Sequence, residues 1–73
     1  MRKLTNEVKV GSIVRLVEAP VGASPVYARH INQLAVVFKT DYGTVDAKRL
    51  DGQGNIYFAF YWFEEGIAEL IAE

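Results

Sequence analysis

Apolar residues fall in short runs separated by turn signals, a spacing that predicts a mainly β meander. The hairpin loops are supplied by TDYGT at 40–44 and DGQGN at 51–55, where glycines permit tight reversals. The last three runs are therefore predicted to be consecutive antiparallel strands. The four predicted strands are 12–18 (SIVRLVE), 34–40 (LAVVFKT), 44–50 (TVDAKRL) and 55–62 (NIYFAFYW).

The secondary structure of two segments is not decided by the pattern. Residues 20–33 (PVGASPVYARHINQ) form a long connection, with a short helical turn predicted at YARHIN. At the C-terminus, FEEGIAELIAE spaces Ile67, Leu70 and Ile71 as a helix would. Gly66 equally allows one helical turn at 63–66 and then a fifth strand at 67–72, so both interpretations stand.

The fourth run is apolar on both faces. Residues 56–63 are eight consecutive apolar or aromatic residues and hold six of the nine aromatic side chains. Strand alternation sends Ile56, Phe58 and Phe60 into the core. Tyr57 and Tyr61 are predicted to point outward, since tyrosine can keep its hydroxyl in water. The other predicted core residues are Val14, Leu16, Leu34, Val36, Phe38 and Val45.

Two interpretations of the outward tyrosines follow. They either pack under the 20–33 connection, where Tyr27 and Ile31 could meet them, or form a surface for a partner. An aromatic patch rimmed by charge is how many protein contact sites are built.

Length and composition limit the kinds of protein and of binding site that this chain can form. The 73 residues predict one domain over 1–73, which buries only about 60 % of its unfolded surface. There is no cysteine and a single histidine, which excludes disulfides and multi-histidine metal sites. Dense aromatic packing or homodimerisation would then have to stabilise the fold. No apolar run reaches membrane-span length and no signal peptide is visible, so a cytoplasmic protein without membrane contact is expected.

No combination of residues predicts catalysis. Nucleophilic catalysis needs a nucleophile, a base and an orienting group, and His30 is expected to be a partly exposed loop residue. Asp41 and Asp51 suit turns, and Asp46 suits an outward strand position. DGQGN lacks the third glycine and following helix of a phosphate-binding loop. We therefore expect no enzyme activity, no cofactor and no metal.

The charge is unevenly distributed along the chain, although it sums to −1. Residues 1–40 carry six basic and two acidic side chains, whereas residues 41–73 carry two basic and seven acidic ones. Such asymmetry can mark an interaction surface. The alternative is that the fold brings the two halves together and averages the charge.

The order of the elements resembles that of small SH3-like barrels. VKVGSIVRLVE is similar to their opening strand, and WFEEGIAELI is similar to their final helical turn and last strand. A long first loop and a three-stranded meander lie between them, so the resemblance covers most of residues 8–72. Many small phage and mobile-element proteins look like this. The resemblance implies a five-stranded SH3-like barrel that serves as a binding module.

These observations predict a non-enzymatic module that binds a protein partner, as a modulator or inhibitor of a larger host protein. A homodimer through the same patch is a further possibility. The predicted contact residues are Tyr57, Tyr61, Trp62, Lys48, Arg15 and Lys39.

The alternative function is nucleic-acid binding by the same aromatic residues. Residues 55–63 contain no lysine or arginine, and the net charge is negative, both of which oppose the electrostatic attraction such binding needs. The basic residues available to it are Arg15, Arg29, Lys39, Lys48 and Arg49.

Overall fold

A single antiparallel sheet organises residues 8–72, the part of the chain that the computed structural model describes. A 3₁₀ helix (Pro25–His30) precedes the second strand, and α1 (Phe60–Glu64) leads into the last. None of the helices in this range has the length and hydropathy that a membrane crossing requires. The five strands are β1 (Ile13–Leu16), β2 (Leu34–Asp41), β3 (Thr44–Arg49), β4 (Asn55–Ala59) and β5 (Ala68–Ala72).

The strand order across the sheet is β4-β3-β2-β1-β5. The mainly β prediction with about five antiparallel strands is confirmed, and so is a short helix before the last strand. Of the two interpretations of 67–72, the strand is right, because β5 pairs antiparallel with β1. The sheet is not closed into a barrel, since β4 and β5 lie at its two edges.

Both predicted hairpins form through the turn chemistry seen in the sequence. Asp41 and Thr44 are paired, so Tyr42 and Gly43 make the β2–β3 turn, where Gly43 takes a φ of 71°. The Tyr42 N–H donates to Asp41 Oδ1 at 2.8 Å. In the β3–β4 turn the Gln53 N–H donates to Asp51 Oδ1 at 3.0 Å.

The core lies on one face of the sheet and under α1. Of the predicted core residues, Val14, Leu16, Val45, Ile56 and Phe58 are buried. Phe60 is only half-buried because it begins α1 rather than continuing the strand. The other buried apolar side chains are Val8, Ala35, Val37, Ala47, Trp62, Phe63 and Ala68.

The prediction for β2 was wrong by one residue. Leu34 and Phe38 are exposed and Val36 is half-buried, whereas Ala35 and Val37 are buried. The register explains this, because Ala35 lies opposite buried Val14 and Val37 lies opposite buried Ala47. A buried face must continue across neighbouring strands. The pairing with β1 and β3, and not the size of the side chains, therefore determines which residues of β2 are buried. Phe38 falls at a register shift between Val37 and Lys39.

The fourth predicted strand is shorter than its apolar run because the chain bends into α1 at Phe60. The Phe60 N–H donates to the Gly43 carbonyl at 3.0 Å, which fixes the start of the helix against the β2–β3 turn. Below the bend, the ring of Phe58 lies 5.6 Å from that of Phe63 and 6.2 Å from that of Trp62. The bend therefore places three large rings in one cluster.

The register of β2 can be tested with adjacent valines. Val37→Ala should lower the free energy of unfolding by about 2 kcal/mol, since two buried methyl groups are lost and a cavity remains. Val36→Ala carries the same loss of strand propensity from a half-buried site, and should cost less than about 1 kcal/mol. Urea unfolding of both variants measures the difference. Equal costs, or the reverse order, would contradict the register.

Candidate interaction surface

The face of the sheet opposite the core carries a row of aromatic and charged side chains. Tyr57 on β4 lies opposite Asp46 on β3, and Asp46 lies opposite Lys39 on β2. The ring of Tyr57 is 54 % exposed. Directly opposed side chains on neighbouring strands stand about 5 Å apart, so these three form one row across the sheet. We call the sheet surface that bears this row the outer face.

A second and a third row extend the outer face. Lys48 lies between Asn55 on β4 and half-buried Val36 on β2, and it is a diagonal neighbour of Tyr57. In the next row, Arg15 lies between exposed Leu34 on β2 and Glu69 on β5. The Arg15 Nη2 and Glu69 Oε2 atoms form an ion pair. The outer face thus alternates apolar, aromatic and charged positions.

The structure brings together four of the six predicted contact residues, because Tyr57, Lys48, Lys39 and Arg15 all lie on the outer face. Tyr61 and Trp62 lie on α1, since strand alternation stops at Ala59. Tyr61 is as exposed as Tyr57, but Trp62 is only 8 % exposed.

The pairing also brings together the basic and the acidic halves of the chain. Lys39 lies opposite Asp46, and Arg15 pairs with Glu69. Both contacts join a residue from 1–40 with one from 41–73. The charges are interleaved on the outer face instead of forming two oppositely charged patches there.

Trp62 is covered by the 3₁₀ helix in the long connection. The ring of Tyr27 meets Trp62 edge-on at 5.6 Å. The Tyr27 hydroxyl donates to the main-chain carbonyl of Tyr57 at 2.8 Å, at the edge strand of the sheet. Burial, with a smaller contribution from Tyr57, raises the pKa of this hydroxyl above its usual value. The connection therefore covers Trp62 and the edge of β4, and leaves the Tyr57 ring accessible.

A second polar cluster, which sequence reasoning missed, lies where the 3₁₀ helix meets the β3–β4 turn. Arg49 is buried at the end of β3 and its guanidinium contacts three groups. Its Nε donates to Asp51 Oδ1 at 3.0 Å, and its Nη2 bonds to Asp51 Oδ2. Its Nη1 donates to the Arg29 carbonyl at 3.2 Å and lies 3.1 Å from His30 Nδ1.

The expectation that His30 is a partly exposed loop residue was wrong, since it is only 7 % exposed. The signal for this cluster was present in β3, where Val45, Ala47 and Arg49 share the inward parity. An arginine at an inward position must find acceptors, and the nearest come from the flanking turn and the long connection.

The protonation states in this cluster follow from its geometry. Burial, together with the positive charges of Arg49 and Arg29, lowers the pKa of His30 below 6.5. The hydrogen bond from Arg49 lowers the pKa of the Asp51 carboxyl below 3.8. At neutral pH the Asp51 carboxyl is thus ionised and the His30 imidazole is neutral.

Within residues 8–72, no group of three or more histidine or carboxylate side chains is placed to hold a metal ion. An open depression beside the β2–β3 turn is lined by Thr40, Asp41, Tyr42 and Phe60. Comparisons with protein-family models, with curated proteins and with solved structures found no match.

The contact between the 3₁₀ helix and β4 can be tested by removing one oxygen atom. Tyr27→Phe keeps the ring against Trp62 and leaves the Tyr57 carbonyl without its donor, so it should cost about 1 kcal/mol of unfolding free energy. Tyr42 is 99 % exposed. Tyr42→Phe is therefore the matched control and should change the free energy of unfolding by less than about 0.5 kcal/mol. Urea unfolding compares the two, and equal stabilities would show that the Tyr27 hydrogen bond contributes nothing.

Proposed function

We propose that this chain is a non-enzymatic protein-binding module whose contact surface is the outer face of the sheet. The observation that supports this most is the row formed by Tyr57, Asp46 and Lys39, with Lys48 as diagonal neighbour. An exposed tyrosine supplies a large contact area at a small cost in conformational entropy. Neighbouring charges give specificity and orientation to such a contact.

The scaffold under this row favours the same use. Tyr57 and Asp46 stand on strands whose inward neighbours, Phe58 and Val45, are fully buried. A surface held by a packed sheet needs little reorganisation on binding, which lowers the entropic cost of association. Leu34 and Val36 add apolar surface beside the charged row.

The finer part of the proposal is an SH3-like mode of binding. In SH3-like barrels an aromatic groove holds an extended peptide, and the five antiparallel strands here are compatible with that use. The role we propose is modulation of a larger partner protein, as the resemblance to small phage and mobile-element proteins suggests. A gene neighbourhood typical of such elements would support this part, and a conserved metabolic operon would count against it.

The contact surface is tested by recovering a partner from a lysate of the source organism with tagged protein. The double variant Tyr57→Ala, Lys48→Ala should lose the partner, because a tyrosine at a binding hot spot contributes about 2 kcal/mol, roughly thirtyfold in affinity. Tyr42→Ala, the same change as at Tyr57 but at a fully exposed tyrosine on the β2–β3 turn, is the control and should retain the partner.

Equal recovery by the double variant and the control would refute the outer face as the contact surface. Light scattering on the purified protein tests whether the partner is a second copy of the chain. A mass of twice 8.2 kDa that returns to 8.2 kDa in the double variant would make a second copy of the chain the partner.

Nucleic-acid binding is the weaker candidate because two of its five proposed cations are held in ion pairs. Arg49 is buried and bound by Asp51, Arg15 is paired with Glu69, and Lys39 lies opposite Asp46. Binding of phosphates by Arg15 or Arg49 would have to break an ion pair.

We therefore expect no anisotropy change when labelled single-stranded or duplex oligonucleotides are titrated with protein at low salt. Binding that weakens steeply as salt is raised, and that is lost in Lys48→Ala, would reverse the order of the two proposals.

A further inference from the structure

The 3₁₀ helix Pro25–His30 is held to the sheet by a few side-chain contacts. At one end the Tyr27 hydroxyl donates to the Tyr57 carbonyl, and its ring covers Trp62. At the other end, Arg49 Nη1 reaches both the Arg29 carbonyl and His30 Nδ1. The second attachment contains the sole histidine of the chain.

The geometry of that attachment requires one protonation state of His30. A guanidinium nitrogen can only donate, so the Nδ1 atom 3.1 Å from Arg49 Nη1 must accept and cannot carry a proton. A protonated imidazole has N–H groups at both nitrogens. It would turn this contact into two donors facing each other, and would add a second positive charge beside a buried one.

Of the remaining groups around His30, only Asp51 favours a proton on the imidazole, and its effect on the pKa is smaller than those of burial, Arg49 and Arg29. Arg29, on the same helix, adds positive charge, while Tyr27 presents only its ring at 6.3 Å. Asp51 is the acidic group of the cluster, and both of its carboxylate oxygens already bond to Arg49. A proton on His30 therefore acts against the closed arrangement.

We propose that the 3₁₀ helix is an acid-released clasp, in which protonation of His30 separates it from Arg49 and uncovers Trp62 and the edge of β4. The proposal stands independently of the function proposed above, since it concerns the fold alone. Its consequence for binding is that Trp62, which is covered in the closed form, would join Tyr57 and Tyr61 as accessible aromatic surface.

The clasp has a hinge that is anchored separately. The Asn32 N–H donates to the Leu16 carbonyl at 2.7 Å, and Ile31 bridges to Leu16. Asn32 has a φ of 68°, a left-handed conformation that asparagine tolerates. The end of the connection thus stays attached to β1 when the helix leaves, so release need not unfold the sheet.

The direction of the pH effect follows from linkage. The closed form lowers the pKa of His30 below 6.5, whereas in the released form the imidazole is free of Arg49. Between 6.5 and the lower value, the released form binds the proton and the closed form does not. Within that interval the released-to-closed ratio should rise by up to about tenfold for each unit that the pH falls, and it should level off below the lower pKa.

The test uses the single histidine and single tryptophan as reporters. The purified full chain is titrated from pH 7.5 to 4.5, with the His30 Cε1–H shift followed by NMR and Trp62 by fluorescence and acrylamide quenching. We expect both to change with one midpoint below pH 6.5, the emission moving to the red and quenching rising several-fold. Far-UV circular dichroism should stay constant through that midpoint.

His30→Gln is the matched variant, because a glutamine amide oxygen can accept from Arg49 but does not titrate. Its Trp62 emission and quenching should stay flat across the same range. The clasp would be refuted by a His30 titration without a change at Trp62, or by the same change in His30→Gln. It would also be refuted by loss of circular dichroism at the shared midpoint, or by a His30 that stays neutral down to pH 4.5.

Discussion

The packing of Phe58, Trp62 and Phe63 at the bend between β4 and α1 is the constraint on which the rest of this small structure depends. The chain has no disulfide, and a domain of this size has little core to spare. The rings of Phe63 and Trp62, with centroids 5.6 and 6.2 Å from that of Phe58, form with it one buried aromatic cluster. They can meet because the helix starts at Phe60 and turns Trp62 and Phe63 back over the sheet.

The same bend determines which aromatic side chains of the apolar run remain exposed. Before it, strand alternation leaves Tyr57 on the outer face beside Asp46 and Lys48. After it, helical geometry leaves Tyr61 exposed while Trp62 is buried under Tyr27. One apolar run thus serves as core and as accessible aromatic surface. The 3₁₀ helix of the long connection covers Trp62 and the edge of β4, which the sheet alone would leave exposed. Arg49 joins this helix to β3 through charged hydrogen bonds.

Much of this architecture could be predicted from local signals. The two hairpins follow from TDYGT and DGQGN, and the parity of Val45, Ala47, Ile56 and Phe58 follows from alternation. The parity of β2 could not, because LAVVFKT is apolar at both parities and only pairing with β1 and β3 selects Ala35 and Val37. The burial of His30 depends on Arg49, nineteen residues away along the chain, and so lies beyond local patterns. Trp62, one of the predicted contact residues, is buried because β4 ends at Ala59 and α1 begins at Phe60. The apolar run itself does not indicate where the strand ends.

Hydroxyl-radical footprinting read by mass spectrometry measures how residues 56–63 divide into covered and accessible aromatic rings. After correction for the intrinsic reactivity of each residue type, Tyr57 and Tyr61 should be modified at rates comparable to that of Tyr42 at neutral pH. Trp62 and Tyr27 should be modified several-fold more slowly. Modification of Trp62 as fast as that of Tyr57, or protection of Tyr57 in the monomer, would show that the rings do not divide in this way.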